Sequence, residues 1–358
     1  MRRTDAALRF ASIAALGLMV VLGPAAPVPP VAGQEPVRVV TTLAVYAVLA
    51  EEVGGDAVDV ESIAGPVVDA HFIRPTPSFA VTVRNADVFV TTGLDLELWV
   101  PALLDRAGNA AVTEGGPGYV TAYSGITMLD IPETVSRSEG DVHIYGNPHL
   151  HTDPLRALQV ARNIAVGLRR VDPARTDVWD EGLASFADRI HRALFGGELV
   201  DILGGPTLER LALAGTLDDF LDSNELEGRP LSTRLGGWLA RARPLKGLDI
   251  ICYHKNWAYL EDRFGVTCAE YVEPRPGIPA TPRHLSRLVG HMHDHAHHVV
   301  LAANYFDDGA VRAVAHRGEG RAVVVPLYPG GAPGVVTYFD LIDYWIDALL
   351  AARAGHHH

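Results

Sequence analysis

From Val37 onward, short β-rich runs alternate with helical stretches, and this alternation restricts the fold more than any other feature of the chain. Val37–Thr42, Val58–Ile63, Asp87–Thr91 and Gly118–Tyr123 read as four strands. Leu43–Val53, Ser78–Asn85 and Leu96–Arg106 read as helices between them, the first stopping at Gly54-Gly55. The pattern resumes with strands at Asp249–Tyr253, Thr267–Val272, Val299–Ala303 and Ala322–Pro326. Helices are expected at 256–264, 282–296 and 307–316, and Tyr338–Ala352 closes the series. Strands separated by helices pair in parallel, so the fold class is α/β with mainly parallel sheets flanked by helices.

The middle of the chain is helical. Pro154 opens a helix over Leu155–Arg170, and Asp172-Pro173 breaks it. A second helix, 174–194, sets Trp179, Leu183, Phe186 and Ile190 on one stripe and is about 31 Å long at 1.5 Å per residue. The expected organisation is an N-terminal lobe at 36–173, a linking helix at 174–194, a C-terminal lobe at 195–352 and a tail at 353–358. Residues 196–246 are rich in Leu and Gly and show no clear strand.

Residues 1–33 read as a secretory signal peptide rather than part of the fold. Arg2 and Arg3 precede an apolar run from Phe10 to Leu22, which is shorter than the roughly 20 residues that span a bilayer. No cysteine lies near the expected cleavage point, so no lipid anchor is expected there, and the protein is expected to be exported or periplasmic. Of the 358 residues, 48% are apolar, which excludes disorder over most of the length. A net charge of −13 with no Lys/Arg-rich run argues against a nucleic-acid partner. Two cysteines exclude a Cys-rich zinc module. Cys252 and Cys268 lie in consecutive predicted strands, and in an oxidising compartment they either form a disulfide or remain two buried thiols.

No phosphate loop, dinucleotide fingerprint, H-E-x-x-H or nucleophile elbow occurs. What stands out is histidine where strands meet helices: His71 after the second strand, His149 before the helix at Pro154, and His254 after the strand 249–253. Ligands of open α/β sheets lie at the carboxyl ends of strands. Any one of these residues is most simply a polar loop histidine. Three that converge would make a zinc site, although spacing alone does not bring them together.

The chain resembles the substrate-binding proteins of zinc/manganese-class ABC importers. The likeness runs from about residue 36 to 352 and rests on segments in family order. Asp69-x-His71 with Pro75-Thr76-Pro77-Ser78 is similar to the first-ligand loop, and Asn85-Ala86-Asp87 with Gly93-Leu94-Asp95-Leu96-Glu97-x-Trp99 to the family's next strand and helix. Asn147-Pro148-His149 with Asp153-Pro154 resembles the second-ligand loop. Tyr253-His254-Lys255-Asn256-Trp257 with Arg263-Phe264-Gly265 resembles the third-ligand segment. Pro276-Gly277-Ile278-Pro279 and Pro282-Arg283-His284-Leu285 resemble the family's stretch on the C-terminal side of that segment.

The resemblance implies two lobes bridged by a rigid helix, with His71, His149 and His254 holding a metal in the cleft. It also implies delivery to a membrane ABC permease, binding rather than catalysis, and a chain acting as a monomer. Zinc is expected over manganese, since neutral imidazoles suit zinc. Each ring needs an acceptor on its other nitrogen, for which Asp69, Asn147 and Asp153 are candidates. Family members often add a carboxylate from the loop after the last core strand. Here Pro326–Gly334 contains no Asp or Glu, which leaves the fourth position to water, Tyr328 or an unplaced carboxylate, with His151 a weaker candidate. The alternatives are a secreted three-His zinc hydrolase and a metal-binding adhesion protein on the same fold. A second cluster, His291, His293, His295, His297 and His298, reads as a polar face or a weak metal-collecting patch. If helical, it sets His291, His295 and His298 together.

Overall fold

The computed structural model describes residues 35–132, 143–273, 277–278 and 280–354. The expected signal peptide, Pro276, Pro279 and the last four residues of the expected tail lie outside them.

The first sheet contains β1 (Val37–Thr41), β2 (Val58–Ser62), β3 (Val88–Thr91) and β4 (Tyr119–Thr121), all parallel and in the order β2-β1-β3-β4. Helices α1 (Ala44–Gly54), α2 (Pro77–Arg84) and α3 (Val100–Ala107) make the crossovers. β3 is buried along its whole length, whereas edge strand β2 alternates half-buried and exposed residues, the signature of a strand covered on one face. Phe89 of β3 packs with Val83 of α2 and Leu103 of α3 beneath one face of this sheet.

Helix α4 (Pro154–Val171) comes next, capped by the Asp153 carboxylate, and Asp172 then caps a short turn that leads into α5 (Thr176–Phe195). α5 is the expected linking helix. Its 20 residues bury Trp179, Phe186, Ile190 and Leu194, and Leu183 is half-buried on the same stripe. α1 can approach α5 closely because residue 182 is glycine: a Cβ there would stand 2.1 Å from the Val53 carbonyl oxygen.

The stretch that carried no clear pattern holds α6 (Gly197–Leu203), α7 (Gly205–Leu213), α8 (Leu217–Ser223) and α9 (Gly237–Ala242). It also holds a small antiparallel ribbon of β5 (Glu225–Leu226) and β6 (Arg229–Pro230), which nothing in the sequence pattern announces.

The second sheet contains β7 (Leu248–Cys252), β8 (Val266–Tyr271), β9 (Val299–Ala303) and β10 (Arg321–Val325), again all parallel, in the order β10-β9-β7-β8. Its helices are α10 (Ala258–Phe264), α11 (Pro282–His295), α12 (Asp308–Arg317) and the closing α13 (Tyr338–Ala354). Cys252 and Cys268 form a disulfide across β7 and β8, with Cα atoms 5.4 Å apart, so the bridged alternative is the one realised. The molecule is thus two parallel sheets, each flanked by helices, with one long helix between them. Of three apolar clusters among the described residues, the largest runs through both lobes, from Val39 and Val90 through Trp179 and Phe186 to Ile250, Leu301 and Trp345. Among the described residues no helix is long and apolar enough to cross a membrane.

Candidate metal centre

His71, His149 and His254 each offer a ring nitrogen, and these three atoms all lie within 4.8 Å of one another. The chain reaches this point from three places: His71 follows β2 and His254 follows β7, at the carboxyl ends where ligands of open α/β sheets lie, and His149 stands just ahead of α4.

His71 sits in a short helical turn after β2. The Asp69 carboxylate caps that turn, accepting from the His71 backbone N–H at 3.0 Å and from its Nδ1 at 2.6 Å. Burial opposes ionisation of Asp69, but the hydrogen bonds and charge of His71 outweigh it and hold the carboxyl below its usual range. Trp99 donates to the Ala70 carbonyl and pins the turn from beneath.

His149 is buried just ahead of α4. The Asn147 side-chain oxygen accepts from its backbone N–H at 3.0 Å and from its Nδ1 at 2.9 Å. Burial, reinforced by the neighbouring imidazoles, pushes the His149 pKa well below the ordinary histidine value. The ring is therefore neutral near pH 7, with its lone pair on Nε2. That Nε2 is buried with no hydrogen-bond partner, and so is the Nε2 of His254. Orphaned buried nitrogens are costly unless something else satisfies them, and lone pairs aimed at one point fit a cation.

His254 lies just past β7, and its Nδ1 donates to Glu273 beyond β8. The other Glu273 oxygen accepts from the Gly277 N–H at 3.0 Å.

Two of the three candidate acceptors take the expected role. Asp153 does not: it is fully buried and holds two arginines, accepting from Arg263 at 2.9 Å through each oxygen and from Arg156 at 2.6 Å. This ties the start of α4 to the C-terminal lobe. Further ties come from Tyr259, which donates to the Asn147 carbonyl at 2.6 Å, and from Asn147, which donates to the Lys255 carbonyl at 2.8 Å.

His151 lies outside the cluster. Its Nε2 donates to the Leu327 carbonyl and its ring packs on Tyr328. Tyr328 is itself buried, and burial raises its hydroxyl pKa far above the ordinary phenol range. In the second histidine cluster, α11 ends at Ala296 in the left-handed conformation. The ring joining His291 and His295 from beyond the helix is therefore His297, with centroids 5.0 and 5.7 Å away, and not His298 as uninterrupted helical spacing predicts.

Sequence reasoning missed two residues, Glu273 and His143. His143 stands beside the three histidines, its Nε2 3.2 Å from that of His71 and its ring centroid 5.9 Å from that of His149. Asp95, after β3, accepts from its Nδ1 at 2.9 Å and from the Ile144 backbone N–H at 2.7 Å. The Asp95 loop is fixed in turn by buried Glu97, which accepts from Thr42, Thr91 and Thr92. The signal for His143 is its place six residues before His149, across the Gly146-Asn147 turn.

The sequence pattern of the family described as zinc-uptake complex component A, periplasmic, matches residues 39–193 and 238–352. The chain belongs to this family. Among curated relatives of this zinc-uptake family member, the iron-binding protein YfeA of Yersinia pestis is 31% identical over 153 residues, 43% of this chain and 45% of that protein. The zinc-binding lipoprotein AdcA of Streptococcus pneumoniae is 25% identical over 161 residues, 43% of this chain and 30% of that protein. The matched stretch therefore spans less than half the length of either relative. The crystal structure of ZnuA superposes with a TM-score of 0.64 at 18% identity, over 89% of this chain and 99% of that one, and so shares the zinc-uptake component's fold.

Proposed function

We propose that the chain is an exported, monomeric binding protein that takes up a divalent metal ion, zinc in preference to manganese, and delivers it to a membrane ABC permease. In this reading residues 36–173 and 195–352 are the two lobes, 174–194 is the link, and His71, His149 and His254 are ligands. The observation that carries it is the convergence of three imidazole nitrogens within 4.8 Å of one another.

The names of the relatives divide among iron, zinc and manganese, and the donor set favours zinc. Neutral imidazole nitrogens suit it, and manganese prefers carboxylate and water oxygens. The loop 326–334 offers no carboxylate. Asp69, Asp95 and Glu273 each receive an imidazole Nδ1, so none is left free as a general base. This supports carriage over hydrolysis.

The test is to strip the purified chain of metal, titrate it with zinc and manganese, and count bound ions by mass spectrometry. One tightly held zinc per chain is expected, and it should be lost in His71→Ala, His149→Ala and His254→Ala. Wild-type stoichiometry and affinity in all three variants, or tighter manganese than zinc, would overturn the reading.

A further inference from the structure

We infer that His143 is a fourth ligand, closing a centre of four imidazoles with no carboxylate oxygen on the ion; this rests on the reading of His71, His149 and His254 as ligands.

His143 and His71 face each other through Nε2 at 3.2 Å. In a tetrahedral zinc site with Zn–N distances of about 2.0–2.1 Å, adjacent ligand nitrogens stand about 3.3 Å apart. The observed separation matches that edge. The protons are placed to suit it. A carboxylate only accepts, so Asp69 and Asp95 each fix the proton of their imidazole on Nδ1. Both Nε2 lone pairs then point into the same space, an arrangement that repels until a cation stands between them. The nitrogens within 4.8 Å of one another are those of His71, His149 and His254, and His143 joins them through its edge with His71; its ring spacings agree towards two of the three. His143 lies 5.2 and 5.9 Å, centroid to centroid, from His71 and His149, and the three original histidines are 5.6 to 6.0 Å apart.

His143 is held there on purpose-built contacts. One carboxylate, Asp95, takes both the ring Nδ1 and the following backbone N–H, so ring and chain are fixed together. The pattern repeats at Asp69, which takes the ring and backbone of His71, and at Asn147, which takes those of His149. All four imidazoles thus have an oxygen acceptor behind them, the arrangement typical of ligating histidines. Nitrogen from His143 takes the position that the acid-free loop 326–334 leaves open. The ligands are then uncharged, and the charge of the ion is countered from one imidazole away by Asp69, Asp95 and Glu273.

X-ray absorption on the zinc-loaded full-length chain reads the result. Four imidazole nitrogens are expected, and His143→Ala should show three with one oxygen. Asp95→Asn, which keeps the ligand but weakens its acceptor, should lower zinc affinity by about 10–100-fold. His143→Ala should lower it at least as far, with circular dichroism confirming that the variant is folded. Three nitrogens plus one oxygen in the unmodified chain, with His143→Ala unchanged in spectrum and affinity, would overturn the fourth ligand and leave the three-histidine reading standing. The nitrogen count in the unmodified chain decides the point even if a variant does not fold. A chain whose zinc carries no imidazole would sink both.

Discussion

The acceptors behind the four imidazoles come from very different distances along the chain. Asp69 and Asn147 each lie two residues before the histidine they serve, whereas Glu273 lies 19 residues after His254 and Asp95 lies 48 before His143. This is why half of the acceptors, Asp69 and Asn147, were legible in the sequence. D-x-H and N-P-H are local turns in which a side-chain oxygen caps the backbone and catches the ring at once, so reading the motif reads the geometry. The other two pairings exist only once strands lie side by side. Glu273→Gln should therefore lower zinc affinity by about 10–100-fold without removing a ligand, measured by competition with a chelator of known strength; unchanged affinity would count against its role. Asp153 should behave in the opposite way. With Asp153→Asn the guanidinium groups of Arg156 and Arg263 lose their shared buried charge, and stability should fall by about 3–5 kcal/mol in urea unfolding. Zinc stoichiometry should be retained.

At the scale of elements, all eight strands of the two sheets were legible, because their β-branched runs are bounded by glycine, proline and helix formers. The same holds for α4 and α5, whose apolar spacing persists for several turns. The region 196–246 was not legible. Its helices α6, α7 and α8 have only 7, 9 and 7 residues, too few for a periodicity to emerge. What fixes α7 is tertiary. Glu209 accepts both terminal nitrogens of Arg162 on α4, at 2.6 and 2.8 Å, and the Nε2 of His191 on α5, also at 2.8 Å. Gly205 makes room for the His191 ring, from which a Cβ would be only 2.1 Å away. Burial works against ionisation of Glu209, but the hydrogen bonds of His191 and Arg162 outweigh it and bring the carboxyl down to about 2. A depressed carboxyl stabilises the folded state above its unfolded value, about 4.5, and the contribution disappears as pH falls towards the folded value. Wild type should thus melt higher than Glu209→Gln at pH 7, with the difference closing between about pH 4.5 and 2. A difference that stays constant across that range would show that the clamp does not depend on the charge.

For the molecule as a whole, the shared core matters most. Trp179, Phe186, Trp238 and Trp345 belong to the same cluster as residues of both sheets, and His149 is bound to the C-terminal lobe by Asn147, Tyr259 and the arginines on Asp153. A wide hinge opening would tear this core. Solution X-ray scattering should accordingly give the same radius of gyration with and without zinc, and a clear compaction on loading would refute a rigid frame. The disulfide adds a matter of timing. His254 stands two residues beyond Cys252, and Glu273, its partner, five beyond Cys268. The bridge therefore clamps together the two strand ends that must present them as a pair. Closing this loop is worth about 3 kcal/mol in the chain-entropy model, and the Cys252→Ser/Cys268→Ser chain should lose about that much in denaturant and hold zinc less firmly. In a reducing cytoplasm the bridge is open. On the function proposed above, a newly made chain still in the cytoplasm would hold the ion less firmly than the same chain after export, because its two ligand-bearing strand ends would not yet be clamped.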